Sequence, residues 1–298
     1  MPAQPSNPPA WVERLLAIAL PVLGSARVVR ARAVIDRYNA ADGGLLAAGI
    51  AYNTLFALIP MALFAGGMLG ALATDPETLA DIEAVIVGWA PPLAGVLDEL
   101  FRGLASASPT LSVIGLVGMV WGATRLFASL EIGIEAMFTE VPRRGIVART
   151  LRRVLSILVV AGIVGLALVA TSVASFVAEL APGQLDAAAV LLNVALVALP
   201  IVLSSLAVGI AYRFLAPVRP SLGAIARPAL ATGLALVLLT RLLAVVAPRV
   251  LGVSFVYGTL GAIFVALGWL GLAYTIVLIG AAWVRERMLA DEETAAVA

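Results

Sequence analysis

Residues Gly43 to Thr74 read GGLLAAGIAYNTLFALIPMALFAGGMLGALAT, a run without one charged side chain. A helix of roughly 20 apolar residues crosses the hydrocarbon core of a bilayer, about 30 Å thick, so this stretch alone is long enough to span a membrane. Five more runs of the same kind follow: Leu111 to Thr124, continuing past Arg125; Val154 to Ala178; Ala187 to Tyr212; Pro228 to Pro248, interrupted by Arg241; and Val250 to Val284. The last exceeds one span, which leaves its first residues to a loop or interfacial turn before Gly258. The chain is 62% hydrophobic and 12% charged, whereas a soluble domain carries about 25% charged residues. A water-soluble fold of this size has too little polar material to cover so much apolar side chain. The expected fold is all-α, a membrane bundle of about six transmembrane helices near 45–72, 111–136, 154–178, 187–212, 228–248 and 258–284. These form one domain over 11–288, between disordered tails at 1–10 and 289–298.

Charge placement sets the expected orientation. Arg14, Arg27, Arg30, Arg32 and Arg37 precede the first span, and Arg143, Arg144, Arg149, Arg152 and Arg153 lie between the second and third. Arg213, Arg219 and Arg227 lie between the fourth and fifth, and Arg285 and Arg287 follow the sixth. Fifteen of the nineteen basic residues thus sit on one side, while the opposite loops hold Asp75, Glu77, Asp81, Glu83, Asp98, Glu99, Glu179 and Asp186 with only Arg102 and Arg249. The positive-inside rule makes the Arg-rich side cytoplasmic. A multi-pass membrane protein with both termini in the cytoplasm is the expectation.

Two segments read differently from spans. Leu15 to Ala26 has the outline of a signal peptide, but Glu13 spoils its basic front, and cleavage would put the following Arg cluster outside. Trp11 to Tyr38 is better read as an interfacial helix with Arg in the phosphate layer. In the first outer loop, Leu93, Val96, Leu97, Leu100, Phe101 and Leu104 recur at helical spacing, as do Leu79, Ile82, Ile86 and Trp89 before Pro91 and Pro92. These predict two short amphipathic helices, with a plain packed loop as the competing reading.

Three residue types are missing, and each absence removes chemistry. Without Cys there are no disulfides, thiolate nucleophiles or Cys-metal sites. Without His the commonest general base and metal ligand is gone. All basic residues are Arg, so a catalytic Lys is excluded as well. No nucleotide-binding loop, metal cluster or hydrolytic triad is visible; the expectation is a non-enzyme with no cofactor, no metal and no nucleic-acid partner.

Candidate functional residues are then polar groups at membrane depth, where a charge costs about 2.5–3.5 kcal/mol by insertion scales. Arg125 falls toward the inner half of its span and Arg241 toward the outer half of its own. On an ideal helix Arg125 is about 120° from Glu131 and about 80° from Glu135, so it needs a partner from another span or an anionic ligand. A guanidinium fork suits a phosphate or carboxylate; the competing reading is an interhelical ion pair or snorkelling. Glu131 and Glu135, one turn apart near the inner end, are possible coupling acids, with an interfacial position as the plainer reading. Pro60 removes a helical donor from the carbonyl of Phe56 and should kink the first span, leaving Tyr52 and Asn53 to line any opening. The pairs Gly66/Gly70 and Gly118/Gly122 have the spacing that permits close helix contact, a pattern that arises easily in a chain with 27 Gly.

Four segments carry a resemblance. Ala48-Gly49-Ile50-Ala51-Tyr52-Asn53-Thr54-Leu55-Phe56-Ala57-Leu58-Ile59-Pro60 is similar to the A-x-x-x-A-Y-x-x-L-x-S-L-x-P signature of the YihY/BrkB family of bacterial inner-membrane proteins. Trp121 through Phe138, Phe214-Leu215-Ala216-Pro217 and Tyr257-Gly258-Thr259-Leu260-Gly261-Ala262 follow in the family's order, the last resembling Y-G-S-L-G-A with Thr259 in the Ser position. The resemblance covers roughly Arg27 to Met288 and departs from the pattern at Asn53 and Ala57. It implies a six-span inner-membrane protein linked to export of lipid or lipopolysaccharide precursors or to serum resistance. The family's old ribonuclease label conflicts with this chain, which has no His, no paired-carboxylate metal site and no RNA groove. The reading is a transporter or flippase-like protein for an anionic amphipathic lipid or envelope precursor, with Arg125, Arg241, Tyr52 and Asn53 binding substrate and membrane lipids as partners. A non-transporting scaffold for envelope assembly is the alternative, and a small-solute channel a third.

Overall fold

The computed structural model describes residues 25–72, 109–139, 186–253 and 258–297, and within them the only regular structure is α-helix. The helices are α1 (Ala26–Ala40), α2 (Gly43–Leu72), α3 (Pro109–Ala136), α4 (Asp186–Leu215), α5 (Leu222–Val253) and α6 (Gly258–Val297). Apolar side chains around the whole circumference make α2 through α6 helices for lipid rather than for a soluble surface. In four of them an apolar stretch long enough to cross a membrane is described in full: 116–136, 198–215, 222–246 and 263–296. Only 17 to 28% of each stretch is buried inside the protein. The outward remainder carries rows such as Leu230, Leu234, Leu238 and Leu242 at one-turn spacing on α5, and lipid is the medium that tolerates them. The chain is an all-α membrane bundle.

One end of the bundle holds the core. Val34 and Tyr38 of α1, Ala47 and Ile50 of α2, Ile134 of α3, Val208 and Tyr212 of α4, Ile225 and Ala229 of α5, and Val277, Leu278 and Ala281 of α6 pack into one cluster. Polar ties fix the same end. Arg37 pairs with Glu286 at 2.7 Å and donates to the Met137 carbonyl just beyond α3. Arg213 donates to the Pro220 carbonyl in the bend between α4 and α5, and Arg287 to the Gly223 carbonyl in the first turn of α5. The start of α2, the ends of α3 and α4, the start of α5 and the late part of α6 therefore meet at an Arg-rich end. Consecutive described helices α3 and α4 thus point the same way. The span expected at 154–178 lies outside the described residues, as do 1–24 and the two amphipathic segments expected in the first outer loop.

Helix contacts depend on missing side chains. A Cβ on Gly118 would stand 2.6 Å from Pro60 Cβ, and one on Gly122 3.0 Å from Ala57 Cα. The second glycine pair at GxxxG spacing is thus where α3 presses on α2; for Gly66 and Gly70 only the backbone is described. At Gly233 a Cβ would meet the Ser205 backbone nitrogen at 2.6 Å, which brings α5 equally close to α4. Gly280 makes room for the Tyr212 hydroxyl, which donates to the Val277 carbonyl at 2.7 Å and lies 3.3 Å from Thr232 Oγ1. Three spans are tied there by polar groups with no water to compete. Between α2 and α6, the Thr54 and Tyr274 hydroxyls hydrogen-bond at 2.8 Å.

One expectation changes. The tail expected at 289–298 is helical: α6 is 40 residues long and runs to Val297. At 1.5 Å per residue that is about 60 Å, twice the hydrocarbon thickness. Its last turns are rich in Arg, Glu, Met, Leu and Ala, all good helix formers. α2 continues as a single helix through Pro60. α1 and α2 are joined by a tight turn in which Asp42 adopts a left-handed φ of 51°, a region that Asp tolerates better than most residues.

Candidate functional site

Arg125 stands on the outward side of α3, with its guanidinium 5.5 Å from the centroid of the Trp121 ring. Arg241 is exposed on α5 beside Leu242. Among the described residues neither is ion-paired. Arg125 lies roughly 16 Å along its helix from the Arg-rich end, and Arg241 roughly 28 Å along its own. The two occupy different depths, on helices that make no extensive contact with each other. Tyr52 is exposed on α2 with its ring 4.6 Å from that of Phe56, and Asn53 is half-buried beside it. The register that opposes Gly122 to Ala57 and Gly118 to Pro60 sets Arg125 near the level of Thr54, about half a turn along the helix from Tyr52.

Glu131 and Glu135 lie near the Arg-rich end of α3; both are buried, at 5 and 7% exposure, and neither is without a partner. Their helix end is also the end that Arg37 grips through Met137. Among the described residues no group of three or more acidic side chains is placed to hold a metal ion.

A further feature of the Arg-rich end involves residues that the sequence marked only as topological charges. A cavity of about 720 Å³ opens between α1, α5 and α6, walled by Arg30, Arg227, Arg287, Glu286 and Asp291 together with Val34, Ile35, Ile279 and Trp283. Its volume falls within the range of about 300–1,000 Å³ typical of ligand sites. Along α6 the wall changes character, apolar at Ile279 and Trp283 and charged from Glu286 to Asp291. Glu286 is already held by Arg37. Arg287 spends Nη2 on the Gly223 carbonyl, while its Nε is buried with no hydrogen-bond partner among the described residues. A buried donor left unmade costs about 1–3 kcal/mol, more on a charged group.

A second, apolar groove of about 530 Å³ runs between α5 and α6 toward the other end, along Leu243, Val246, Val265, Trp269 and Leu272. Gly268 and Gly271 contribute no side chain to its wall. Neither Arg125 nor Arg241 lines either space.

Fold and surface define a polytopic α-helical membrane protein with cationic groups at its Arg-rich end and within its spans. The family model described as Virulence factor BrkB matches residues 34–297, and the chain belongs to that family. It is also similar to a UPF0761 membrane protein of Chromohalobacter salexigens, 29% identical over 101 residues. That match covers 34% of this chain and 25% of the relative's length. Neither description names an enzymatic activity. No solved structure matches.

Proposed function

We propose that the protein moves an anionic amphipathic lipid across a bacterial inner membrane, with the Arg-rich end and both termini in the cytoplasm. The observation that carries this reading is the pair Arg125 and Arg241, exposed within spans at two depths and, among the described residues, without an acid to neutralise them. An uncompensated guanidinium at bilayer depth costs about 2.5–3.5 kcal/mol by insertion scales, and a lipid phosphate in hydrocarbon is costlier still without a cation. Each charge offsets the penalty of the other while the headgroup passes. Trp121, already stacked under Arg125, holds the guanidinium in place without consuming its hydrogen-bond donors. Tyr52 and Asn53, within about half a turn of that level, supply neutral hydrogen-bonding groups. Arg241, nearer the far surface, can also snorkel, so the reading rests most heavily on Arg125.

The orientation follows the distribution of Arg, and the lipid substrate follows the chemistry of the exposed cations. The experiment is transbilayer movement of labelled phosphatidylglycerol and phosphatidylcholine in liposomes containing the purified protein. The anionic lipid should move faster. Arg125→Gln or Arg241→Gln should slow it, and the double variant should match protein-free liposomes. Equal movement of both lipids, or none with and without an imposed proton gradient, would shift the reading to a scaffold in envelope assembly.

A further inference from the structure

The cavity between α1, α5 and α6 has a wall composition that fits one kind of molecule. Three guanidiniums from three helices, Arg30, Arg227 and Arg287, line it against two carboxylates. One of those carboxylates, Glu286, is engaged by Arg37 at 2.7 Å with the pair only 13 and 21% exposed. Asp291 is then the remaining acid in the wall, and the balance favours an anion. Arg287 adds a second, independent sign: its Nε is buried with no acceptor among the described residues, while the rest of the side chain is anchored through Gly223. A planar fork held in place with donors unspent matches a phosphate oxygen pair.

The apolar part of the wall says what else the ligand carries. Ile279 and Trp283 lie on the span side of Glu286 and Arg287 along the same face of α6, and Ile35 of α1 faces the same space at 43% exposure. A soluble phosphate gains nothing from an indole and two isoleucines. A lipid does, because its phosphate and its first methylenes are separated along the membrane normal in the same order as Arg287 and Trp283. Trp is also the side chain best suited to that boundary.

We propose that this cavity binds the phosphodiester headgroup of an anionic membrane lipid, with Arg227 and Arg287 holding the phosphate, Arg30 adding charge, and Trp283 and Ile279 receiving the upper acyl chain. The site deepens the lipid-moving reading by giving the substrate a resting place at the Arg-rich surface. It does not need transport to be detected.

The test uses the full chain in bilayers and equilibrium binding, so that failure of movement and failure of binding are read separately. Trp283 is the reporter. Lipids with brominated acyl chains quench indole fluorescence at short range, and the Trp283→Phe protein supplies the background from the other four Trp. In phosphatidylcholine bilayers, brominated phosphatidylglycerol should quench the Trp283 component at a several-fold lower mole fraction than brominated phosphatidylcholine. Arg227→Gln should raise that mole fraction about five-fold, the expectation for one basic group at an anionic surface, and Arg227→Lys should restore most of it. Adding Arg287→Gln should abolish the preference, whereas Asp291→Asn should strengthen it. Arg227 is exposed and, among the described residues, makes no hydrogen bond or ion pair, so its variants report binding in a folded protein. Equal quenching by both brominated lipids in the wild-type chain would overturn the proposal. So would release of the quenching difference by millimolar glycerol 3-phosphate with no preference between lipids, which would assign the phosphate to a soluble source. A preference unchanged in the Arg227→Gln, Arg287→Gln double variant would place the lipid elsewhere.

Discussion

Three glycines of α3 face neighbours of different stiffness, and substituting each by Ala should give three different costs. At Gly118 the new methyl would sit 2.6 Å from Pro60 Cβ, part of a ring fused to the α2 backbone. Carbon atoms pack at about 3.5–4.0 Å, so α2 and α3 must part by roughly 1 Å at that point. At Gly122 the methyl would sit 3.0 Å from Ala57 Cα and 3.1 Å from its Cβ, and about half an ångström of relief suffices. At Gly133 the nearest atom is Ile50 Cδ1, at 2.8 Å, the end of a side chain that can turn. Overpacking costs about 1–3 kcal/mol, a displaced rotamer about 0.5–1.5, and Ala regains close to 1 over Gly in helix propensity. Gly118→Ala should therefore lose about 1–2 kcal/mol net, and Gly122→Ala should stay within about 1 of the wild type. Gly133→Ala should come out near zero by the same terms. Reversible unfolding in mixed detergent micelles with increasing dodecyl sulfate, followed by circular dichroism, reads all three. Stabilisation by Gly118→Ala to the full extent of the helix-propensity gain would mean that α2 and α3 do not meet at Pro60, and the order of the three would lose its basis.

In a double-mutant cycle, Arg37→Ala and Glu286→Ala should each cost about 2 kcal/mol, with a coupling energy of about 1–3 because the pair is largely buried; a coupling below about 0.5 would make it an ordinary surface ion pair. Tyr212→Phe, which removes the donor to Val277, should lower stability by about 1 kcal/mol. Gly280→Ala should cost more than Tyr212→Phe in the same unfolding assay, because its methyl would displace both the Tyr212 and Thr232 hydroxyls. Asp42→Gly should be neutral or gain up to about 1 kcal/mol at its left-handed φ, while Asp42→Val should lose more than that. The chain has no native Cys, so an impermeant maleimide should label Gly183→Cys in intact cells and Leu222→Cys only after lysis; the opposite pattern would invert the orientation.

The helical membrane class was readable because its signal is length without charge, as in Gly43 to Thr74, and tertiary context adds little to such a run. The late turns of α6 were not, because Asp291, Glu292 and Glu293 read as a solvated tail, although the residues around them favour helix. Glu131 and Glu135 show a related limit. Their one-turn spacing was visible, but whether the shared face met headgroups or core depended on α1 and α6 folding over the end of α3. Gly118/Gly122 and Gly66/Gly70 have the same spacing, and no property of α3 alone reveals that Pro60 and Ala57 come to rest on the first pair. Arg30, Arg227 and Arg287 were counted for topology, because residues so far apart in the chain carry no mark that they will share a cavity.

The length of α6 makes it a lever as well as a span. One rigid rod carries the apolar groove at Trp269, the Tyr212 contact at Gly280 and the charged wall at Arg287. At Gly268 an added Cβ would meet nothing within 4 Å, so the rod has no neighbour pressed against that side. Ala290, on the wall of the cavity, lies roughly 33 Å from that point along the helix. A tilt of about 5° there, invisible in the packing of any one turn, swings the far end through roughly 3 Å. That distance separates a guanidinium that touches a phosphate from one that reaches it only through a bridging water.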